Sequence, residues 1–264
     1  MSMITITYIG HATTLAESGG KAVLTDPNFS SHVLCFKRKE PLNYDPGKLP
    51  ELSAVVISHA HKDHLNINSF RYIKGSVPVF VPVGLGKYLS QFIRNPVIEV
   101  NHYATHKLPD GVEITATEAR HVGFIWSGLR YRRCNGYIMT FPKDNSQVTS
   151  HELRVFFAGD TAYGPHFKEI GNLYNGDAAI DIALLPIAGY SPLWFMKKRH
   201  MSPVEALEAF LDLGAKNMVP VHFGSFRLSA EKLAEPLEWL SRVAIERDLG
   251  ERVHILRSGE SSSL

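Results

Sequence analysis

The stretch Ala54-Val55-Val56-Ile57-Ser58-His59-Ala60-His61-Lys62-Asp63-His64 constrains this chain more than any other. Ala54 to Ser58 are small or β-branched and read as a buried strand. Directly after them comes the pattern H-x-H-x-D-H. Neutral imidazole and carboxylate are the ligand types preferred by borderline divalent metals such as zinc. In extended backbone, residues two apart face the same way, so the rings of His59 and His61 point together. Asp63 and His64, one turn further on, can reach a second ion beside the first. A polar loop whose histidines cluster by accident is the bland alternative. Four ligand-type residues at fixed offsets argue against it, and the motif predicts further ligands at the ends of other strands.

Bulk properties narrow the function classes. A chain of 264 residues can bury a full core, and 44% hydrophobic with 20% charged residues is ordinary for a globular protein. A net charge of +2 supplies no broad cationic face, so no nucleic-acid partner is expected. No run approaches the roughly 18 apolar residues that span a bilayer. The N-terminus passes almost at once into a strand, Ile4 to Ile9, without the pattern of a signal peptide. The only cysteines are Cys35 and Cys134, too few for a disulfide framework, and they predict a cytoplasmic location.

Read in order, residues 5–10 and 13–18 form strands with His11 between them, and Gly19-Gly20 marks a hairpin into strand 21–25, which Asp26-Pro27 ends. The segment 28–52 has little periodicity and several prolines, and is expected to cover the site as a binding loop. After the motif strand come a short helix near Phe70–Ile73, a strand at 77–81, a helix at 86–93 and strands at 97–100 and 112–117. His121 follows that last strand. Strands at 136–141 and 154–158 lead to Gly159-Asp160-Thr161, which sets a carboxylate past a strand end. Strand 181–187 runs into the aromatic loop 190–195. Ser202-Pro203-Val204-Glu205 is a capping box with proline at the first helical position, and Gly214 stops that helix. Its buried face is Ala206, Leu207, Phe210 and Leu211. Strand 218–221 delivers His222, and a helix near 236–249 and a strand at 253–256 close the chain. The whole of 1–264 reads as a single α/β domain.

His121, Asp160 and His222 thus follow three further strands, where α/β sheets place their sites. In that order the ligand types resemble the metallo-β-lactamase superfamily of hydrolases. Gly10-His11-Ala12-Thr13, Leu24-Thr25-Asp26-Pro27, Phe157-Ala158-Gly159-Asp160-Thr161, Lys168-Glu169-Ile170-Gly171 and Leu184-Leu185-Pro186-Ile187 are similar to its branch containing N-acylphosphatidylethanolamine-hydrolysing phospholipase D. So are Trp194-Phe195-Met196-Lys197, His200-Met201-Ser202-Pro203-Val204-Glu205-Ala206 and His222-Phe223-Gly224-Ser225-Phe226. The resemblance spans nearly the whole chain and implies an αβ/βα sandwich with a dinuclear site on one edge. It implies that His59, His61 and His121 hold one ion, that Asp63, His64 and His222 hold the other, and that Asp160 bridges them. Two departures stand near this site. Val122 and Phe223 occupy positions where that branch carries tryptophan.

Two divalent ions about 3.5–4 Å apart lower the pKa of a bridging water and take up charge developing on a phosphoryl or carbonyl oxygen. Zinc is the first expectation, with manganese or iron as alternatives. Asp63, Asp160 and His200 are the candidate catalytic residues; in the resembled branch the last of these faces substrate. Trp126, Arg132, Arg133 and Trp194 are candidate substrate contacts, pairing anion recognition with an apolar wall, against the alternative of solvated loop residues. Asp26 either orients a ligand imidazole or only ends a strand. His11 reads as structural. The expected reaction is hydrolysis of a phosphodiester on a small-molecule or lipid-like substrate. A lactonase or phosphorylated-sugar lactonase is the nearest rival. A redox di-iron protein would ordinarily bring an electron-carrier domain, for which 264 residues leave no room, and a non-catalytic metal scaffold would have lost ligands.

Overall fold

Alternating apolar residues at the N-terminus build the first sheet. Strands β1 (Thr5–Gly10), β2 (Thr13–Ser18) and β3 (Lys21–Thr25) form an antiparallel meander. Gly19 and Gly20 take φ of 55° and 73°, the paired positive values that a two-residue type I′ turn requires. The computed structural model describes residues 3–124, 130–131, 133–142, 152–176 and 179–264. A small hairpin of β4 (His32–Val33) and β5 (Phe36–Lys37) follows, and then β6 (Ala54–Val56), β7 (Val79–Pro82) and β8 (Val97–Val100) extend the sheet in parallel from β3. The two-residue period separates their faces. Val56 and Phe80 enter the main core, whereas Val55, Ile57, Val79 and Val81 enter a second cluster. That cluster includes Phe70 of the 3₁₀ helix Ile67–Tyr72 and Leu89 of helix α1 (Gly86–Leu89).

The second sheet has the order β9 (Thr105–Lys107), β10 (Glu113–Ala119), β13 (Cys134–Phe141), β14 (Leu153–Phe157), β15 (Ile182–Pro186) and β16 (Asn217–Val221). It is antiparallel as far as β14 and parallel beyond. A hairpin of β11 (Gly123–Phe124) and β12 (Arg130–Tyr131) lies between β10 and β13 in the chain. Helices α2 (His166–Leu173), α4 (Pro203–Leu213) and α5 (Glu235–Glu246) bring Phe167, Leu207, Phe210 and Leu240 into the core that both sheets share. The layers are those of an αβ/βα sandwich. Helix α3 (Leu193–Met196) is a single turn inside the expected aromatic loop.

Helix α4 shows how local signals act. Ser202 Oγ accepts from the Glu205 N–H, the Glu205 carboxylate returns to the Ser202 N–H, and Gly214 ends the helix at φ 62°. Its buried face is Ala206, Leu207, Phe210 and Leu213; Leu211, expected inside, is exposed. The expected last strand at 253–256 is reduced to one bridge between Val253 and Met218. The edge beside β1 is closed by β17 (Ser261–Ser263), whose hydroxyls bond those of Thr5 and Thr7 at 2.9 and 2.8 Å. Serines carry no hydrophobic period, so pattern alone does not reveal this strand.

The segment 28–52 is not a free flap. Arg38 is buried and donates to the carbonyls of Asn28 (2.8 Å) and Ser30 (2.9 Å) and to Ser225 Oγ (3.2 Å), with its guanidinium over the Phe226 ring. Asn28 Nδ2 in turn donates to the Asp63 carbonyl at 2.9 Å, so the base of this segment buttresses the metal motif. Hydrogen bonds also cross between the sheets at this end, from Asn135 N–H to the Ser58 carbonyl (3.0 Å) and from Tyr137 Oη to the Ile57 carbonyl (2.9 Å).

Candidate metal centre

Each candidate ligand lies just past the carboxyl end of a strand: His59 to His64 after β6, His121 after β10, Asp160 after β14 and His222 after β16. Asp26 and His11 stand in the same relation to β3 and β1. Among the described non-glycine residues with positive φ are His11 (60°), Asp26 (33°) and His222 (62°). Backbone in this region is disfavoured for side-chain-bearing residues and gathers at functional sites. Gly159 also takes a positive φ, of 60°, and a Cβ there would sit 2.4 Å from Ser58 Cβ. Only glycine lets the Asp160 loop close on the motif strand.

The side chains converge in two sets. In the first, His59 Nε2 and His121 Nε2 lie 2.9 and 3.3 Å from His61 Nδ1. Asp160 Oδ2 is 3.8 Å from His59 and 4.0 Å from His121. In the second, His64 Nε2 and His222 Nε2 each lie 3.5 Å from Asp63 Oδ2. Asp160 faces this set as well, with Oδ2 3.2 Å from His64 Nε2 and Oδ1 3.2 Å from His222 Nε2. Donor atoms around one ion at bond lengths of about 2.0–2.1 Å stand about 3–3.5 Å apart, so both sets are spaced to hold a cation.

Satisfaction of polar atoms makes an independent test. His64 Nε2, His222 Nε2 and Asp160 Oδ1 are buried without a hydrogen-bond partner among the described residues. Each such atom costs about 1–3 kcal/mol unless something else satisfies it. Imidazole and carboxylate together are the donor set for a borderline divalent ion, and the residues fit the group.

The outward-facing atoms of the imidazoles are held too. Asp26 Oδ2 accepts from His64 Nδ1 at 2.6 Å and from the Ser58 hydroxyl at 2.5 Å, while its Oδ1 accepts from the Ser58 N–H at 2.7 Å. His121 Nδ1 donates to the Arg199 carbonyl at 2.9 Å. Donation from Nδ1 fixes the tautomer and leaves the Nε2 lone pair for a cation. Asp26 therefore both ends its strand and orients His64.

Burial, then the neighbouring imidazoles of His64, His61 and His121, push His59 well below the ordinary histidine range. Burial likewise lowers His61 to about 4 and lowers His121, which keeps this set in the neutral ligating form. For Asp63 and Asp160 burial acts upward, but His64 and His222 outweigh it and hold both carboxyls well below the usual range. For His64 and His222 burial acts downward, and the carboxylates of Asp160 and Asp63 outweigh it, so both are raised. A cation entering the second set replaces protons that these carboxylates otherwise retain.

His200 is buried beside these sets, with Nδ1 3.8 Å from Asp160 Oδ2 and its ring edge-on to His121. Burial lowers it to about 3, leaving a neutral imidazole facing the cleft. That cleft, of about 170 Å³, is lined by Asp63, Asp160, His200 and His222 and then by Met196, Phe223, Leu228, Arg227 and Lys232. A neighbouring groove of about 490 Å³ shares His61, Asp63 and Leu228 with it and is bounded by Val33, Leu34, Ile67 and Tyr88. Two other sequence candidates, Trp194 and Arg133, lie elsewhere. Trp194 is 78% exposed on α3, outside the cleft lining, where Met196 of the same helix takes part. Arg133 is exposed and donates to Asn101 Oδ1 at 2.8 Å. Trp126 and Arg132 lie outside the described residues. Arg227 and Lys232 carry no motif that pattern reading could have used.

A model of the beta-lactamase superfamily domain matches residues 21–223. The chain belongs to the metallo-β-lactamase superfamily. Its sequence resembles the branch of that superfamily that contains N-acylphosphatidylethanolamine-hydrolysing phospholipase D. It is 31% identical over 92% of its length to N-acyl-phosphatidylethanolamine-hydrolyzing phospholipase D 1 of Caenorhabditis elegans, covering 70% of that protein. An uncharacterized protein of Mycobacterium tuberculosis is 33% identical over 92% of this chain, which spans 64% of that relative's length. Among solved structures, the metallo hydrolase Igni18 of Ignicoccus hospitalis superposes with a TM-score of 0.72 at 25% identity, with 99% of this chain and 98% of that one covered. No helix among the described residues is long and apolar enough to cross a membrane.

Proposed function

We propose that this protein is a hydrolase that works with two divalent cations, zinc in the first instance, and that it cleaves a phosphodiester. The observation that carries the reading is Asp160: its Oδ2 faces both histidine sets, its Oδ1 faces His222 of the second, and Oδ1 has no hydrogen-bond partner among the described residues. His59, His61 and His121 would hold one cation, Asp63, His64 and His222 the other, and Asp160 both. Cations so held would bring the pKa of a water towards neutrality and take up charge developing on the substrate's oxygens.

The remaining work falls to the chain itself. Asp26 and the Arg199 carbonyl keep His64 and His121 in the ligating tautomer. His200, neutral and facing the cleft, is suited to hydrogen-bond the substrate beside Asp160. Arg227 and Lys232, which line the cleft, are suited to anion recognition, and Met196, Phe223 and Leu228 to an apolar wall. The phosphodiester reading also draws on the name of the Caenorhabditis relative. With no disulfide between exposed Cys35 and buried Cys134, the cytoplasm is the compartment we assign.

The test has two arms. Native purification without chelators should yield two divalent ions per chain by elemental analysis. A substrate panel should then compare an aryl phosphodiester, an N-acylated phospholipid, a neutral lactone and a phosphorylated sugar lactone, each with and without chelator. Chelator-sensitive turnover of a phosphodiester, with KM raised in Arg227→Ala, is the expected result. Faster turnover of the neutral lactone, indifferent to Arg227, would replace the phosphodiesterase with a lactonase.

A further inference from the structure

His11 stands in the turn after β1, far from the metal motif in sequence, yet its ring is buried against the second histidine set. Its Nε2 lies 3.0 Å from Asp63 Oδ2. Within 4.0 Å, His64 and His222 each reach both carboxylates, whereas His11 reaches Asp63 alone among the described residues. It meets Asp63 at Oδ2, the same oxygen that faces His64 and His222. The backbone around it is tied down as well. The His11 N–H donates to Tyr8 Oη at 2.9 Å, and its carbonyl accepts from the His222 N–H at 2.9 Å. Tyr8 Oη also donates to the Phe223 carbonyl at 3.2 Å, so one phenol joins the turn carrying His11 to the turn carrying His222. With φ at 60°, His11 occupies left-handed backbone that few residue types accept, in a turn held from both sides.

We infer that His11 is the positioning residue for Asp63. Its Nε2–H donates to Oδ2 and fixes the carboxylate so that the remaining lone pairs face the cation seat completed by His64 and His222. Asp63 is then held twice, by His11 at the side chain and by Asn28 Nδ2 at the backbone carbonyl. This makes occupancy of the second seat, and not of the first, depend on His11, whose ring nitrogen lies within 4.8 Å of the ligand atoms of Asp63, His64 and His222. The inference rests on the two-cation reading above. Partners that orient ligating groups are worth about 10–100-fold in metal affinity when removed.

The experiment is zinc titration of the full chain against a competing chromophoric chelator, together with the visible spectrum of cobalt(II)-loaded protein, for wild type, His11→Ala and His11→Gln. The Gln side-chain amide reaches the place of the imidazole Nε2–H. Both variants meet the same backbone penalty at φ 60°, so the difference between them isolates the side chain. Expected is a 10–100-fold weaker second zinc in His11→Ala, an unchanged first zinc, a cobalt spectrum altered in the second-site band only, and recovery of most of the affinity in His11→Gln. Equal weakening of both zinc ions, no weakening of either, or Gln no better than Ala would each overturn the assignment. If His11→Ala does not fold, the Gln variant decides alone, since loss of the second zinc there contradicts the donor role. A wild-type protein that binds only one zinc would instead defeat the two-cation reading, a result separate from any effect of His11.

Discussion

Asp26→Asn is the sharpest probe of how the second cation seat is held. The carboxylate is fully buried and accepts three donors: the Ser58 N–H at 2.7 Å, the Ser58 hydroxyl at 2.5 Å and His64 Nδ1 at 2.6 Å. Asparagine conserves the volume but offers one acceptor oxygen where the aspartate offers two. If that oxygen stays on the Ser58 N–H, the amide NH₂ faces His64, and two donors oppose each other. The cheapest relief is for His64 to move its proton to Nε2. That is the atom lying 3.2 Å from Asp160 and 3.5 Å from Asp63, the one a cation would need. Affinity at that seat should then fall about 10–100-fold, which is about 1.4–2.8 kcal/mol at 1.4 kcal/mol per decade. His61 and His121 make no contact with Asp26, and His59 meets it only through the Ser58 hydroxyl, 3.0 Å from His59 Nδ1, so the first seat should lose less affinity than the second. Chelator competition resolves the two steps, and the zinc-loaded melting temperature should drop by about 2–4 °C per kcal/mol lost. Two unchanged zinc affinities in Asp26→Asn would refute the argument that Asp26 sets the His64 tautomer.

Three further outcomes follow from the structure. Asp160→Asn should weaken both zinc ions and remove most turnover, because one oxygen of the shared carboxylate is replaced by a non-ligating amide; unchanged zinc occupancy would show that the two sets do not share this residue. Leu34→Ser with Phe36→Ser, at the exposed end of the β4–β5 hairpin beside the larger groove, should raise KM and leave metal content intact, whereas metal loss in step with activity would make the hairpin part of the metal support. Ser202→Ala removes the cap of α4 and should cost about 1 kcal/mol in urea unfolding, with an unmoved midpoint contradicting the role of the capping box.

Local physics wrote much of this protein plainly into its sequence. The motif strand, the Gly19-Gly20 turn and the capped helix α4 depend on neighbours within a few residues, and each is found close to where periodicity and turn chemistry put it. His121, Asp160 and His222 were legible because each is a polar residue just past an apolar strand, and the structure gathers them beside His59 to His64. What the sequence could not express were pairings between distant turns. His11 meets Asp63 across 52 residues, and its carbonyl meets the His222 N–H, through a turn that a pattern reading assigns only a structural role. Strand β17 pairs with β1 through serine and threonine hydroxyls that leave no hydrophobic period. Arg227 and Lys232 reach the cleft because the loop after His222 folds back over it, a matter of chain path and not of residue pattern. Side-chain chemistry at strand ends can be read one residue at a time, but which strand ends face one another is decided by how the two sheets pack.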